Sequence, residues 1–164
     1  MWATEWFKKW AWSIGEDPTR QGLIGTPERM ARAFTQILSG YKEDPATHLQ
    51  VIFDESLAVD PIEVTVDFTS MCEHHVLPFF GVVKLTYLPA RGRIVGLSKI
   101  PRAVKCLASR LQTQERLTAE IANAFVMCVD PQWVTVEINA VHMCTSSRGC
   151  ETQTKMKTTA KRPA

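Results

Sequence analysis

The sequence lacks a long apolar segment. Its longest stretches without Asp, Glu, Lys or Arg are ten residues each, at 74–83 and 138–147, whereas a membrane-spanning helix needs about 20 apolar residues. Lys8 and Lys9 interrupt the apolar stretch near the N-terminus, so the continuous apolar core of a secretory signal is also missing. We therefore expect a cytoplasmic location and no membrane partner.

A strong net charge is absent as well. The net charge of +2 over 164 residues is too small to indicate a nucleic-acid partner. Residues 151–164 carry four basic side chains and one acidic side chain. We interpret this segment as a short basic tail that is solvated and disordered, rather than as a phosphate-binding arm.

The cysteine count argues against a disulfide framework. The five cysteines are an odd number, and no secretory signal precedes them, so reduced thiols acting as ligands or small core residues are expected. Three of the four histidines lie close in sequence to two of these cysteines. The fourth, His48, is predicted to be an isolated surface residue in a loop.

Apolar periodicity predicts an α+β fold. Helical apolar patterns cover residues 2–13, 100–111 and 117–128, and one more helical segment starts at Thr26-Pro27 and ends at Gly40. Alternation of apolar and polar residues indicates strands at 62–68, 79–88, 93–97 and from 132. Helices grouped apart from strands favour an antiparallel sheet with helices on one face, the other face packing on another surface such as a second subunit. We predict an N-terminal helical region at 1–45, a catalytic domain at 46–150 and the basic tail at 151–164.

Two short segments carry metal-ligating side chains. Cys72 and His75 form a Cys-x-x-His pair that can bind one ion from a tight turn, and zinc accepts both sulfur and nitrogen ligands. His142 and Cys144 follow at the end of the last predicted strand, where alternate residues share a face. A set of Cys72, His75 and Cys144 would leave a position for water, with His74 and His142 free for proton transfer.

Two other arrangements of the thiols stay open. Cys72 and Cys144 could form a disulfide in metal-free protein exposed to air. Cys150 could supply a fourth ligand, which would close the site into a structural one.

Four motifs resemble the GTP cyclohydrolase I family. They are MCEHHVLPFFG, GLSKIPR, LQTQERLT and HMCTSSRG, in the family's order and spacing, and GEDPTRQGLIGTPERMARAF resembles its N-terminal region. The resemblance covers about residues 15–150. It implies a T-fold, with an antiparallel sheet, two long helices on one face and N-terminal helices, assembled into toroidal homodecamers with shared active sites. It also implies conversion of GTP and water to 7,8-dihydroneopterin triphosphate and formate, for folate, biopterin or 7-deazaguanine pathways.

The resemblance also implies roles for individual residues. It makes Zn²⁺ the cofactor, held by the two thiols and the imidazole named above, and zinc activates the water that adds to guanine carbon 8. His142 supplies the acid at nitrogen 7, His74 shuttles protons, and Ser98 transfers protons at the ribose. Ser98 also fits a helix N-cap, which is compatible with that role.

The remaining roles concern binding of GTP. Gln114 and Glu115 match the family's guanine clamp, although Glu115 also fits a first-turn acid favoured by the helix dipole. Cationic side chains suit the triphosphate, with two of them reaching a neighbouring subunit's substrate. The five matching cations are Lys99, Arg102, Arg148, Arg29 and Arg32.

One region departs from the family's pattern. Family members continue through a further strand rich in Ser, Thr and Val, and ETQTKMKTTAKRPA stands in that place. Separately, two alternatives to the leading function stay open. One is a related cyclohydrolase with a different product or metal, and the other is a non-enzymatic, zinc-stabilised T-fold assembly module.

Overall fold

The chain divides into two compact units, Met1–Leu38 and Ser39–Ala164. The structure is a computed structural model, and it describes residues 2–55 and 60–163. The boundary predicted after residue 45 lies inside the second unit. Among the described residues, no helix is both long and apolar enough to cross a membrane.

The first unit consists of two helices, α1 (Trp2–Ser13) and α2 (Thr26–Ile37). Helix α1 buries Ala3, Phe7 and Ala11 at helical spacing. Helix α2 begins at Thr26, as predicted, and Gly25 occupies its N-cap position, so no side chain caps this end. Pro27 sits in the first turn, where the backbone N–H that proline lacks has no helical partner in any case.

The second unit contains a five-stranded sheet and two longer helices. In chain order it has a 3-10 turn (Ser39–Lys42), α3 (Pro45–His48), β1 (Ile52–Asp54), β2 (Ile62–Cys72), β3 (Leu77–Leu88), β4 (Arg93–Val95), α4 (Lys99–Ala108), β5 (Leu111–Gln112), α5 (Gln114–Val129), β6 (Trp133–His142), α6 (Met143–Ser146) and β7 (Lys155–Pro163). The sheet order is β5-β2-β3-β6-β7, and β1 pairs with β4 separately. All pairings are antiparallel except the short one between β2 and β5.

One face of the sheet forms the core with α4 and α5. Every second residue of β6 is buried, as the alternation predicts, and the apolar stripe of α5 packs on the same cluster. The ring of Tyr87 on β3 lies 4.8 Å from that of Phe125 on α5. The opposite face carries ion pairs between strands, such as Lys84 with Glu63. The predicted α+β class, with two helices on one face of an antiparallel sheet as the T-fold implies, is confirmed.

The C-terminal segment is a strand, so the expectation of a disordered tail is wrong. Strand β7 pairs with β6, and the pairing extends from Val141 opposite Lys155 to Trp133 opposite Pro163. Its Lys155, Lys157 and Lys161 are exposed, while the alternate residues Met156, Thr158 and Ala160 are partly or fully buried. The hydropathy pattern of the sequence does not reveal this alternation, because only two of the three inward residues are apolar.

The topology brings two strand ends together. Both β2 and β6 run antiparallel to β3, so they run in the same direction on either side of it. Cys72, the last residue of β2, pairs with Leu77, and His142, the last residue of β6, pairs with Phe79. The chain segments that follow both strands therefore lie at one edge of the sheet, next to the start of β3.

Candidate active site

The two cysteine–histidine segments meet at this edge. One ligand atom from each of Cys72, His75 and Cys144 lies within 4.8 Å of the other two, and Cys72 Sγ is 4.0 Å from His75 Nδ1. Cys72 is buried, Cys144 is half-buried and His75 is exposed. The structure thus assembles the predicted three-ligand set from positions 72 residues apart in the chain.

The local route to Cys144 differs from the prediction. Strand β6 ends at His142, and Met143 begins the short helix α6. His142 and Cys144 therefore do not share a strand face. It is the helical turn after β6 that brings the Cys144 thiol to Cys72.

The donor set fits a zinc ion. Thiolate sulfur and imidazole nitrogen are typical zinc ligands, and donors bound to one tetrahedral ion lie about 4 Å apart. Burial raises the pKa of the Cys144 thiol, and the neighbouring Cys72 thiol raises it further. A cation between the two sulfurs would offset that cost and favour both thiolates.

Cys150 lies outside this cluster. Its side chain is exposed, and its thiol donates to the Thr145 carbonyl oxygen at 3.3 Å. The described geometry thus groups three protein ligands and does not add Cys150 as a fourth.

His142 stands beside the cluster in a fixed position. Its Nε2 atom lies 2.8 Å from Gln114 Oε1, and its ring stacks on Phe79 at a centroid distance of 4.7 Å and an interplanar angle of 3°. Burial lowers the pKa of His142, and the Glu115 carboxylate acts in the opposite direction. The imidazole is thus held rigidly near an acidic group.

Gln114 occupies a different environment from the one predicted. Its side chain is 1% exposed, and its Nε2 donates to Ile138 O, Met156 O and Thr158 Oγ1, each at 3.1 Å. The amide predicted to contact guanine is therefore engaged inside the protein. Glu115, the next residue, is exposed.

Arg116 is a functional candidate that the sequence analysis missed. Its guanidinium pairs with Glu73, in the turn between Cys72 and His75, and also donates to Gln112 Oε1 at 2.8 Å. The hydrogen bond from Arg116 lowers the pKa of Glu73. Arg116 thereby ties the ligand-bearing turn to the start of α5. No local pattern indicates this contact, because the partners are 43 residues apart.

His74 and Ser98, the other predicted proton carriers, are both exposed. His74 Nε2 lies 3.8 Å from Glu73 Oε1. Ser98 occupies the N-cap position of α4, but its side chain makes no capping hydrogen bond. The Ser98 hydroxyl is therefore not committed to the helix end.

The predicted triphosphate cations in this unit occupy two places. Lys99 and Arg102 lie in the first turn of α4, the former half-buried and the latter exposed. Arg148 is exposed after α6, and its charge acts to lower the pKa of Cys144, against the effect of burial.

His48 is not an isolated surface residue in a loop, contrary to the prediction. It ends α3, with its Nε2 3.0 Å from Glu43 Oε2, and both ligand atoms lie within 4.8 Å of Cys106 Sγ. These three residues line a cavity of about 200 Å³ together with Arg102.

The two cations of the first unit make local contacts. Arg29 Nη2 donates to Thr26 Oγ1 at 2.9 Å and to Gly22 O at 3.2 Å. Arg32 Nη1 lies 3.9 Å from Glu28 Oε2, and both of these side chains are exposed. Their role toward a neighbouring subunit stays a prediction.

Comparison with known proteins now decides the family. The model of the GTP cyclohydrolase I family matches residues 3–163. The chain belongs to the GTP cyclohydrolase I family. The match includes the C-terminal strand β7, which the motif resemblance had left outside.

Several GTP cyclohydrolase 1 proteins are similar to this member of the family. The protein of Geobacillus kaustophilus (strain HTA426) is 44% identical over 137 residues, 84% of this chain and 73% of the relative. That of Bacillus subtilis (strain 168) is 45% identical, covering 84% and 72%. That of Chlorobaculum tepidum is 47% identical over 148 residues, covering 90% and 66%. The predicted GTP cyclohydrolase I function is confirmed by these relatives.

A solved structure shows weaker similarity. The crystal structure of the archaeosine synthase QueF-Like in the apo form overlaps the chain with a TM-score of 0.45 at 13% identity, covering 65% of this chain and 96% of that one.

Proposed function

We propose that the chain is a zinc-dependent GTP cyclohydrolase I that hydrolyses GTP at guanine carbon 8 and rearranges it to 7,8-dihydroneopterin triphosphate, with release of formate. The observation that carries this proposal is the grouping of the Cys72, His75 and Cys144 donor atoms within 4.8 Å, beside the half-buried imidazole of His142. We expect the reaction to take place in the cytoplasm.

The metal would be held by the two thiols and by His75. When bound, zinc supplies Lewis-acid activation of water near neutral pH. Arg116 keeps the turn between Cys72 and His75 in place through Glu73, so the ligands would be positioned before the ion arrives. Such support of metal ligands by their neighbours commonly matters as much as the ligands themselves.

Proton transfer falls to this chain's own side chains. His142 donates to guanine nitrogen 7, which makes carbon 8 electrophilic. His74, exposed and close to Glu73, exchanges protons with solvent while the ring opens and formate leaves. Ser98 transfers protons at the ribose, and its hydroxyl is not occupied by helix capping.

Binding of GTP uses charge at both ends of the molecule. The exposed carboxylate of Glu115 can accept hydrogen bonds from the ring N–H and the exocyclic amine of guanine, a donor pair that adenine lacks. Lys99, Arg102 and Arg148 supply positive charge for the triphosphate. Arg29 and Arg32 complete the site of a neighbouring subunit in a homodecamer, and the product enters folate, biopterin or 7-deazaguanine synthesis.

The test is to incubate zinc-loaded protein with GTP and to measure both formate and the fluorescent oxidised pterin. We expect both signals from the wild type and their loss in His142→Ala and Cys144→Ala. Cys150→Ala is the matched control, because its thiol is exposed and outside the cluster, and it should retain activity.

Other outcomes separate the alternatives. Formate without pterin, followed by identification of the product by mass, would indicate a related cyclohydrolase with a different endpoint. Activity that returns with iron and not with zinc would change the metal. Zinc-bound, folded protein that releases no formate would refute the enzyme and favour an assembly module.

A further inference from the structure

The environment of Gln114 assigns it a role different from substrate recognition. We propose that Gln114 is a positioning residue that holds the His142 ring with its Nε2 protonated, so that the proton given to the substrate leaves from Nδ1. This inference rests on the proposed function, because it concerns the acid of that reaction. It does not make Gln114 a contact of the guanine base.

The orientation of the Gln114 amide follows from its partners. Its nitrogen lies 3.1 Å from the backbone carbonyl oxygens of Ile138 and Met156. Carbonyl oxygens only accept hydrogen bonds, so the NH₂ end of the amide must face them. The oxygen end therefore faces His142, and strands β6 and β7 determine this orientation together.

The orientation of the amide in turn determines the form of the imidazole. Gln114 Oε1 can only accept, and it lies 2.8 Å from His142 Nε2, so Nε2 carries a hydrogen. The stacked ring of Phe79 restricts rotation of the imidazole about this hydrogen bond. Nδ1 is the nitrogen that this hydrogen bond leaves available for the substrate.

Burial explains why Gln114 is unsuited to reading guanine. Its side chain is 1% exposed, and both of its donor hydrogens are committed among three acceptors. Donating to a base would take a hydrogen away from one of these acceptors inside the protein. The exposed Glu115 carries no such commitment.

The network extends into the C-terminal strand. Thr158 on β7 accepts from Gln114 and also lies 2.7 Å from Thr118 Oγ1, which itself donates to the Gln114 backbone carbonyl. Strand β7 is therefore a second layer of support for His142.

The test compares two buried glutamines. Gln114→Met removes the amide at nearly constant length. Gln112→Met is the control for the loss of a buried amide, since Gln112 is also 1% exposed and donates to Leu107 O and Glu120 Oε2. Gln112 also accepts from Arg116, so this control is compared for stability and for the His142 NMR signal and not for kcat. Both variants lose a buried amide, so a comparable fall in melting temperature is expected, and that fall alone is not diagnostic.

Two readouts of the zinc-loaded protein separate positioning from general stability and from substrate binding. The first is steady-state kinetics, where Gln114→Met should lower kcat by about 10–100-fold with KM for GTP little changed. The second is ¹⁵N NMR of histidine-labelled protein without GTP, with the His142 signal assigned by its absence in His142→Ala. Wild type and Gln112→Met should show the Nε2–H form, and Gln114→Met should lose that preference.

The proposal is overturned by a wild-type His142 protonated on Nδ1 alone, or by a Gln114→Met variant with raised KM and unchanged kcat, which would indicate a guanine contact. If Gln114→Met does not fold, Thr158→Val removes one of the three acceptors and should shift kcat and the NMR signal in the same direction by less. An unchanged signal and kcat in that variant would count against the proposal. A wild type that does not turn over GTP would refute the proposed function, while the NMR signal still reports the pairing.

Discussion

The contact between β3 and β6 at Gly81 allows a sharp prediction about stability and activity together. Gly81 pairs with Ala140, two residues before His142. A Cβ atom added at Gly81 would lie 2.0 Å from Asn139 O, 2.7 Å from Ala140 Cα and 2.9 Å from Asn139 C. All three are backbone atoms, so Gly81→Ala requires the strands to separate, not merely a side chain to rotate.

The size of the effect follows from these distances. To bring the closest contact beyond 3.0 Å, the backbone must move by about 1 Å, against a normal strand spacing of about 4.8 Å. Forcing an extra methyl group into packed space costs about 1–3 kcal/mol, and each weakened ladder hydrogen bond adds about 1 kcal/mol. Alanine also reduces the conformational entropy of the unfolded chain, which offsets less than about 1 kcal/mol of this loss. We expect a net loss of about 2–4 kcal/mol in the free energy of unfolding.

Urea denaturation at a fixed protein concentration measures this loss. With a typical slope, the midpoint should fall by about 1–2 M, and turnover of GTP should fall as well because β6 carries His142. Gly96→Ala is the control, since the Cβ there would lie 3.4 Å from side-chain atoms of Lys99 and Phe53 and 3.7 Å from Val51 O, which are ordinary contact distances. Equal midpoints for the two variants would refute the close approach of β3 and β6.

Three further predictions follow from single features of the site and the sheet. With zinc bound, the two thiols of the candidate ligand set should resist alkylation while Cys150, which is exposed, reacts; protection of Cys150 in a peptide-mapping experiment would favour a fourth ligand. Ser98→Ala should leave the thermal midpoint nearly unchanged, because the hydroxyl caps nothing, and should lower pterin formation more than formate release; a drop in stability alone would argue for a structural role. The hydrogen bond from Lys157 lowers the pKa of Glu137, so the pair should stabilise the fold at pH values above the ordinary Glu pKa and lose this effect as pH falls through the lowered pKa. In Glu137→Gln the free energy of unfolding should fall less steeply over this acidic range, and an unchanged pH dependence would refute the contribution of the pair.

Local patterns were sufficient for much of the fold. The alternation in β2 and β6 and the apolar stripe of α5 predicted these elements, because backbone geometry alone sets a period of two or 3.6 residues. The pattern failed for β7, whose inward side includes Thr158, and at the end of β6, where α6 replaces an extended strand. In both places pairing and packing outside the segment decided the structure.

The sequence by itself determined the donor types of the site and their short spacings. The Cys-x-x-His and His-x-Cys segments supply sulfur and nitrogen ligands, and the resemblance to the family places Cys72, His75 and Cys144 in one predicted ligand set. Only the tertiary structure decided which of these groups meet and which partners hold them. The ends of β2 and β6 meet because both strands run antiparallel to β3, and Gln114 finds partners 24 to 44 residues away. Such contacts depend on which strands are neighbours in the sheet. A pattern within one strand sets which side chains share a face but not which strand lies beside it.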